Sequence, residues 1–333
     1  MRFMQKLPEK LLIIKTSSLG DVIHCLPVIN DIRVHFPNVQ IDWVVEESFA
    51  DIPRMHAGVN QVFTVALRRW KKHIFNPKTW AEVSAFKKLI KQSKYDAVID
   101  CQGLLKSALI TKQALTTIHG LKHGYDKQSI REPIASLFYE KTHAIPYQLH
   151  AVTRNRTLAA ISLGYAVPTN APDYSVTAPK CDVSFTNQFV IALHGTSRDS
   201  KLWPVANWVD LGHELAKKSL DLVLPWATDA ERERANYIAK HLANATVLPK
   251  LSIAQIAGVI AKAQAAIGVD TGLSHLAVAL NIPTIAIYTD TNPALTGVMC
   301  GAVKPAVNLG GIAQIPTVAQ VLDSLQSSLQ KII

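Results

Sequence analysis

Short runs rich in Val, Ile and Leu alternate along the chain with stretches whose apolar positions recur every three to four residues, the pattern of parallel strands covered by helices. The cycle occurs twice. In the first half, Leu11 to Lys15, Ile41 to Glu46, Gln61 to Ala66 and Ala97 to Asp100 predict strands, with Thr117 to Leu121 a weaker fifth. Val22 to Phe36 predicts a helix, because Val22, Leu26, Ile29, Ile32, Arg33 and Phe36 fall near one face and only Arg33 is charged. Pro27 predicts a kink in its first turns. From Tyr165 to Pro179 the periodicity gives way to Pro168, Asn170, Pro172, Asp173 and Pro179, which predicts a domain linker. A second set of strands follows at Phe189 to His194, Leu220 to Leu224, Ala245 to Leu248, Ala265 to Val269 and Thr284 to Tyr288. Its helices include Trp203 to Ser219, Asp229 to Leu242 and Ser252 to Lys262, and a final helix, Pro316 to Lys331, is expected to pack back on the first domain. The expected organisation is two open α/β domains, 1–170 and 180–315, with a terminal segment 316–333 and a cleft between the domains. Ligands of such sheets bind outside the carboxyl ends of the strands, so the loops that follow strands are the places to look for chemistry.

Three of those loops open helices. Thr16-Ser17-Ser18-Leu19-Gly20-Asp21 offers hydroxyls and backbone N–H groups to an anion, but it has neither the G-x-G-x-x-G nor the G-x-x-x-x-G-K spacing of the common nucleotide loops. Asp21 reads either as a helix cap or as a carboxylate at the sheet edge able to act as a general base. Asp270-Thr271-Gly272-Leu273-Ser274-His275 combines a hydroxyl, a glycine permitting close backbone approach and the positive end of a helix, a set that suits a diphosphate. Taken singly, Thr271 reads as an N-cap and His275 as an ordinary helical side chain. Gly195-Thr196-Ser197-Arg198-Asp199-Ser200-Lys201 places hydroxyls and cations on the same edge, where Lys201 is either a solvated cation or a group that neutralises a departing phosphate. Glu231 follows Pro225-Trp226 at a helix start, a position that suits a carboxylate for dipole reasons alone and also one that accepts both hydroxyls of a ribose.

Composition narrows the classes. The chain of 333 residues is 48% hydrophobic and 18% charged, an ordinary globular balance. No apolar run approaches the roughly 18 residues of a membrane span, and the charged stretch Met1 to Lys10 is unlike a signal peptide, so a cytoplasmic protein is expected. Cys25, Cys101, Cys181 and Cys300 are dispersed and read as buried thiols. The 12 histidines show no H-E-x-x-H spacing and no Asp-x-Asp occurs, so neither a metal nor another cofactor is expected. Charge is uneven: residues 1–178 carry 23 basic and 14 acidic side chains, whereas 179–333 carry 12 and 11. The first half therefore faces an anionic partner, with Arg68, Arg69, Lys71 and Lys72 around Trp70, and Lys87, Lys88, Lys91 and Lys94 following on a predicted helix. Zinc-finger spacing, an aromatic RNA-binding signature and a recognition helix are all missing; on charge alone an anionic membrane surface or glycolipid fits as well as nucleic acid.

Six blocks resemble a known family, the inverting glycosyltransferases of GT-B fold that add heptose during bacterial lipopolysaccharide synthesis. They are K-T-S-S-L-G-D-V-I-H (Lys15 to His24), W-V-V-E-E (Trp43 to Glu47), A-L-R-R-W-K-K (Ala66 to Lys72), D-C-Q-G-L-L-K-S (Asp100 to Ser107), R-E-P-I-A-S-L-F-Y (Arg131 to Tyr139) and V-D-T-G-L-S-H (Val269 to His275). The resemblance implies two Rossmann-like open-sheet domains facing a central cleft, and transfer of L-glycero-D-manno-heptose from ADP-heptose to the Kdo of Kdo2-lipid A. It implies Asp21 as catalytic base, and Lys201 as the group stabilising the diphosphate. Thr196, Ser197, Lys201, Glu231, Asp270, Thr271, Gly272 and His275 would line the ADP-heptose site. Ser17, Ser18, Gly20, Arg68, Arg69, Lys71, Lys72 and Arg131 would meet the acceptor at the cytoplasmic face of the inner membrane, so the resemblance implies the glycolipid and no nucleic acid. A later core acceptor, or a non-catalytic module binding anionic glycolipid, are the rival readings. The leader Met1 to Glu9 and the segment Thr289 to Pro293 depart from the family's wording, so no site residue is expected beyond His275.

Overall fold

The computed structural model describes residues 7–330. Most of the N-terminal leader and Lys331, the last residue of the expected final helix, lie outside the described residues. The chain forms two compact units, one ending at Asn170 and one beginning at Ala171. The first holds β1 (Lys10–Ile14), β2 (Gln40–Glu46), β3 (Gln61–Val65), β4 (Lys94–Asp100), β5 (Leu115–Tyr125) and β6 (Lys141–His143) in one sheet of order β3-β2-β1-β4-β5-β6. The second holds β7 (Phe189–Leu193), β8 (Asp221–Leu224), β9 (Ala245–Val247), β10 (Ala265–Val269), β11 (Thr284–Tyr288) and β12 (Ala306–Gly310), ordered β12-β11-β10-β7-β8-β9. All pairings are parallel. Counted from its own first strand, each sheet runs 3-2-1-4-5-6, so the winding reverses between β1 and β4 in one unit and between β7 and β10 in the other. At each reversal the loops leave the sheet in opposite directions and open a crevice at the strand ends.

Strands covered on both faces need continuous apolar runs, and β7, β10 and β11 are buried throughout. Edge strands escape that requirement: β6 and β12 carry exposed positions and give no such run. The strand expected at Thr117 to Leu121 extends over all of Leu115–Tyr125, with a register irregularity opposite Tyr95 and Ala97. Gly120 lies at that irregularity, where a Cβ would strike the Tyr95 carbonyl.

Two expectations are corrected. Of the four cysteines read as buried thiols, Cys25 and Cys101 are buried, but Cys181 is half-buried and Cys300 exposed. Pro27 does not kink a continuous helix; the chain makes separate helices, Leu19–Ile23 and Pro27–His35, and Pro27 is the first residue of the second, where a missing N–H costs nothing. The final helix, Val318–Gln330, spends its apolar stripe within the second unit: Val321 and Leu325 pack in one core with Trp208, Ile285 and Ile287, and the Trp203 indole N–H donates to the Pro316 carbonyl at 2.8 Å.

Candidate active site

At the reversal of the first sheet, the loop after β1 is tied to the loop after β4. Lys15 Nζ donates to the Cys101 carbonyl at 2.8 Å, and the N–H groups of Thr16 and Ser17 both donate to Gln102 Oε1 at 3.0 Å. Asp100, wholly buried at the end of β4, accepts from the N–H groups of Gln102 and Gly103 and from the Tyr139 hydroxyl at 2.8 Å. Burial pushes its carboxyl above the usual range against the pull of these bonds. Gly103 has φ +67°, and a Cβ there would press on Ile130, so this turn requires glycine. The scaffold delivers Lys106, whose Nζ donates to Ser17 Oγ at 2.6 Å. Desolvation lowers the Lys106 ammonium pKa, opposed by Glu46 and, more weakly, Asp21 and Glu132, while Arg68 adds to the lowering.

Asp21 is the third residue of the Leu19–Ile23 helix, and its Oδ2 accepts from the Ser18 N–H at 2.7 Å and the Ser18 hydroxyl at 2.8 Å. The cap reading is therefore realised, but by one oxygen; Oδ1 accepts no hydrogen bond among the described residues. Ser17 is buried, Ser18 exposed and Gly20 intermediate. Nearby, buried Glu46 accepts from the backbone N–H groups of Leu67 and Arg68, fixing the start of the Leu67–Lys72 helix. The four cations of that helix are not equivalent. Arg69 lies between Glu47 and Glu82, at 3.0 and 2.9 Å, and these bonds raise its guanidinium pKa further. Arg68 lies 5.3 Å over the Phe49 ring, whereas Lys71, Lys72 and Arg131 are exposed and without an ion pair among the described residues. Arg131 precedes Glu132, whose carboxylate accepts the Leu105 N–H at 2.7 Å at the start of the Leu105–Gln113 helix.

In the second unit, the loops after β7, β10 and β11 are laced together. Thr196 Oγ1 donates to the Asp270 carbonyl at 2.8 Å; Lys201 Nζ lies 2.6 Å from Asp270 Oδ2, and Thr291 Oγ1 donates to the same oxygen at 2.7 Å. Thr289 Oγ1 donates to the Ser200 carbonyl and Ser200 Oγ to Asp290, at 2.7 and 2.6 Å. Thr271 occupies the N-cap position of the Gly272–Ala279 helix in extended conformation, yet its hydroxyl makes no capping bond and is left for another acceptor or donor. His275 is buried within that helix. Ser274 Oγ donates to the Val269 carbonyl at 2.8 Å, in space that a Cβ on Gly268 would fill.

Glu231 does two things. Its Oε2 accepts the N–H groups of Ala227 and Thr228 in a capping box of the Asp229–Lys240 helix, while its carboxylate overhangs Gly195 so closely that a Cβ there would collide with it. Beside it, His194 is completely buried at the end of β7, and desolvation lowers its pKa to about 4 although the Glu231 charge opposes this. The Trp226 indole N–H donates to the Leu248 carbonyl, and Arg232 and Lys250 stand 5.3 and 5.9 Å from its ring.

Of the residues expected from sequence, Thr196, Lys201 and Asp270 meet directly, Thr271 and Gly272 open the adjoining helix, and Ser197 is exposed on the same loop. Ser17, Ser18, Gly20 and Asp21 share the other sheet's reversal with Lys106. Thr291, beyond His275 in the chain, joins Asp270 through its hydroxyl, and its only mark in the sequence is its place after a strand. Lys106 and Gln102 were legible as part of a family block but carried no role until the loops met. Among the described residues, no group of three or more His, Cys, Asp or Glu side chains is placed to hold a metal ion.

Residues 83–320 match the family described as glycosyltransferase family 9 (heptosyltransferase). Lipopolysaccharide heptosyltransferase 1 of Escherichia coli strain K12 is 46% identical over 291 residues, 86% of this chain and 90% of that protein. The solved structure of E. coli heptosyltransferase WaaC with ADP is similar at TM-score 0.86 and 42% identity, covering 96% of this chain and 99% of that one. The same enzyme with ADP-2-deoxy-2-fluoro heptose gives 0.84 at 41% identity, over 96% and 99%. Two six-stranded parallel sheets covered by helices form a GT-B-like fold, as in these structures.

Proposed function

The chain belongs to glycosyltransferase family 9, the heptosyltransferases, and from that premise we propose how its loops carry out the transfer. The enzyme moves heptose from ADP-heptose during lipopolysaccharide core synthesis. The acceptor is the Kdo of Kdo2-lipid A and the sugar L-glycero-D-manno-heptose. Asp21 Oδ1 takes the proton of a Kdo hydroxyl; that oxygen bonds to the anomeric carbon of heptose as the carbon–phosphate oxygen bond breaks, and ADP leaves with inversion. The charge gathered on the diphosphate is met by Lys201, the Thr271 hydroxyl and the first N–H groups of the Gly272–Ala279 helix. Glu231 faces the ribose, and Thr196, Ser197, Asp270, Gly272 and His275 complete the donor pocket. Ser17, Ser18, Gly20, Lys106, Arg68, Lys71, Lys72 and Arg131 receive the anionic acceptor, while Arg69 holds its helix against Glu47 and Glu82.

The observation that carries this reading is the cluster of Lys201, Asp270, Thr196 and Thr291 at the foot of a helix whose N-cap hydroxyl is unspent. No helix of the described residues is long and apolar enough to cross a membrane. Mass spectrometry of Kdo2-lipid A after incubation with enzyme and ADP-heptose tests the assignment. A gain of one heptose is expected; transfer only to an already heptosylated core would overturn the choice of acceptor.

A further inference from the structure

We infer that the turn spanning residues 73–80 of the first unit is a wedge that enters the interface of an anionic phospholipid bilayer. The inference rests on the reading above only in that a lipid-linked acceptor brings the enzyme to a membrane.

Three large apolar side chains crowd this short turn in contact with water: Phe75 is 97% exposed, Trp80 56% and Ile74 51%. Scattered exposed apolar residues are ordinary, but three gathered within seven residues of the chain are not. The turn is also tied into a defined shape. Asn76 accepts the Lys78 N–H at 2.9 Å, Thr79 Oγ1 donates to the His73 carbonyl at 2.9 Å, and the Trp80 indole N–H donates to the Ile74 carbonyl at 2.8 Å. The N–H of Asn76 returns to the His73 carbonyl and that of Thr79 to the Asn76 carbonyl. Pro77, the first residue of the Pro77–Ile90 helix, has no N–H to satisfy. These bonds leave fewer polar groups of the turn to be stripped of water, and Phe75 stands outward beside them.

Charge around the tip selects the partner. Residues 67–82, the helix before the turn and the start of the one after it, hold five Lys and Arg (Arg68, Arg69, Lys71, Lys72 and Lys78) against one acidic residue, Glu82. Glu82 itself is bound to Arg69 and the Trp70 indole, which removes the local carboxylate that would repel an anionic surface. A soluble polyanion would account for the lysines but not for Phe75, and an apolar protein groove would account for Phe75 but not for the lysines. An apolar tip, an interfacial Trp and a basic rim together fit anionic lipid. The chain from Arg68, beside Lys106, to the tip is short, roughly 10 Å if helical. Docking the wedge would therefore hold the Ser17–Lys106 loops near the headgroups.

The test uses the full chain and sedimentation with vesicles of phosphatidylglycerol and phosphatidylcholine, or of phosphatidylcholine alone. Binding to the anionic vesicles is expected to exceed binding to the neutral ones, and Ile74→Ser combined with Phe75→Ser to lower it about tenfold or more. Acyl chains carrying bromine should quench the emission of Trp80, identified as the difference from Trp80→Phe. Undiminished binding by the double variant, equal binding to both vesicles, or binding without quenching would each overturn the wedge. Turnover with detergent-solubilised acceptor should stay at the wild-type level in these variants; a loss there as well would overturn the assignment by showing that the turn serves the reaction itself. A wild-type protein that binds vesicles but transfers no heptose would refute the functional reading and leave the wedge intact.

Discussion

Replacing Lys201 by Ala separates the two jobs its position allows, holding Asp270 and stabilising the leaving diphosphate. The pair is 2.6 Å apart, with side chains 15% and 12% exposed. At an effective dielectric near 20 the direct attraction is about 6 kcal/mol, most of it offset by the desolvation of two ions. Removing the ammonium leaves Asp270 with the Thr291 hydroxyl as its remaining side-chain partner at that oxygen and a charge largely out of water, a loss of about 2–3 kcal/mol. For a unit of this size that lowers the melting temperature by about 4–12 °C. Asp270→Asn on the same background removes the unpaired charge and should return most of the stability. Turnover should not return with it: the missing cation acts where charge develops, so kcat falls about 10²–10³-fold in the single and double variants alike, with a smaller change in KM for ADP-heptose. Calorimetry and steady-state rates on the same preparations provide both readouts. If the double variant regains turnover along with its melting temperature, Lys201 merely neutralises Asp270 and the leaving group needs another partner.

Asp21→Asn keeps an acceptor for Ser18 but no base, so fold and ADP-heptose affinity should persist while turnover falls about 10²–10⁴-fold; near-normal turnover would reduce Asp21 to its cap. Lys71→Gln with Lys72→Gln should raise KM for Kdo2-lipid A and flatten its salt dependence, leaving KM for ADP-heptose unchanged, and Arg69→Gln should do this less because its charge is already met within the protein. Equal losses for both substrates would withdraw the acceptor role. Gly195→Ala pushes the Glu231 carboxylate off its capping box, which should cost about 1 kcal/mol in a thermal melt and raise KM for ADP-heptose; an unchanged KM would remove Glu231 from the donor pocket. His194 has a folded pKa of about 4 against roughly 6.5 when unfolded. Its contribution is therefore full above pH ~6.5, is lost as pH falls to about 4, and is constant below, on the order of 3 kcal/mol in all. Melting temperatures recorded across that range should fall less for His194→Gln, and parallel curves would contradict the assignment.

The loops that carry Asp21 and Lys201 were readable in the sequence because each lies where a strand pattern stops and a helix pattern starts, and a parallel sheet makes such junctions its ligand edge. The same logic located β1, β7, β10 and β11, since strands buried on both faces must be written as unbroken apolar runs. It could not locate β6 and β12, whose outer edges need no such run, nor the full length of β5, where Gly120 and polar neighbours break the pattern. Roles that depend on two distant segments were equally invisible. Lys106 reaches Ser17 across 89 residues, and Thr291 reaches Asp270 across 21, because the sheet order sets β1 beside β4 and β10 beside β11. Arg69 counted as a free cation until the fold placed Glu47 and Glu82 against it. Local periodicity is set by what each element must bury and is written residue by residue. Which charges end up paired, and which hydroxyls are left unspent, is decided only when strands far apart in the chain come to lie about 5 Å apart in one sheet.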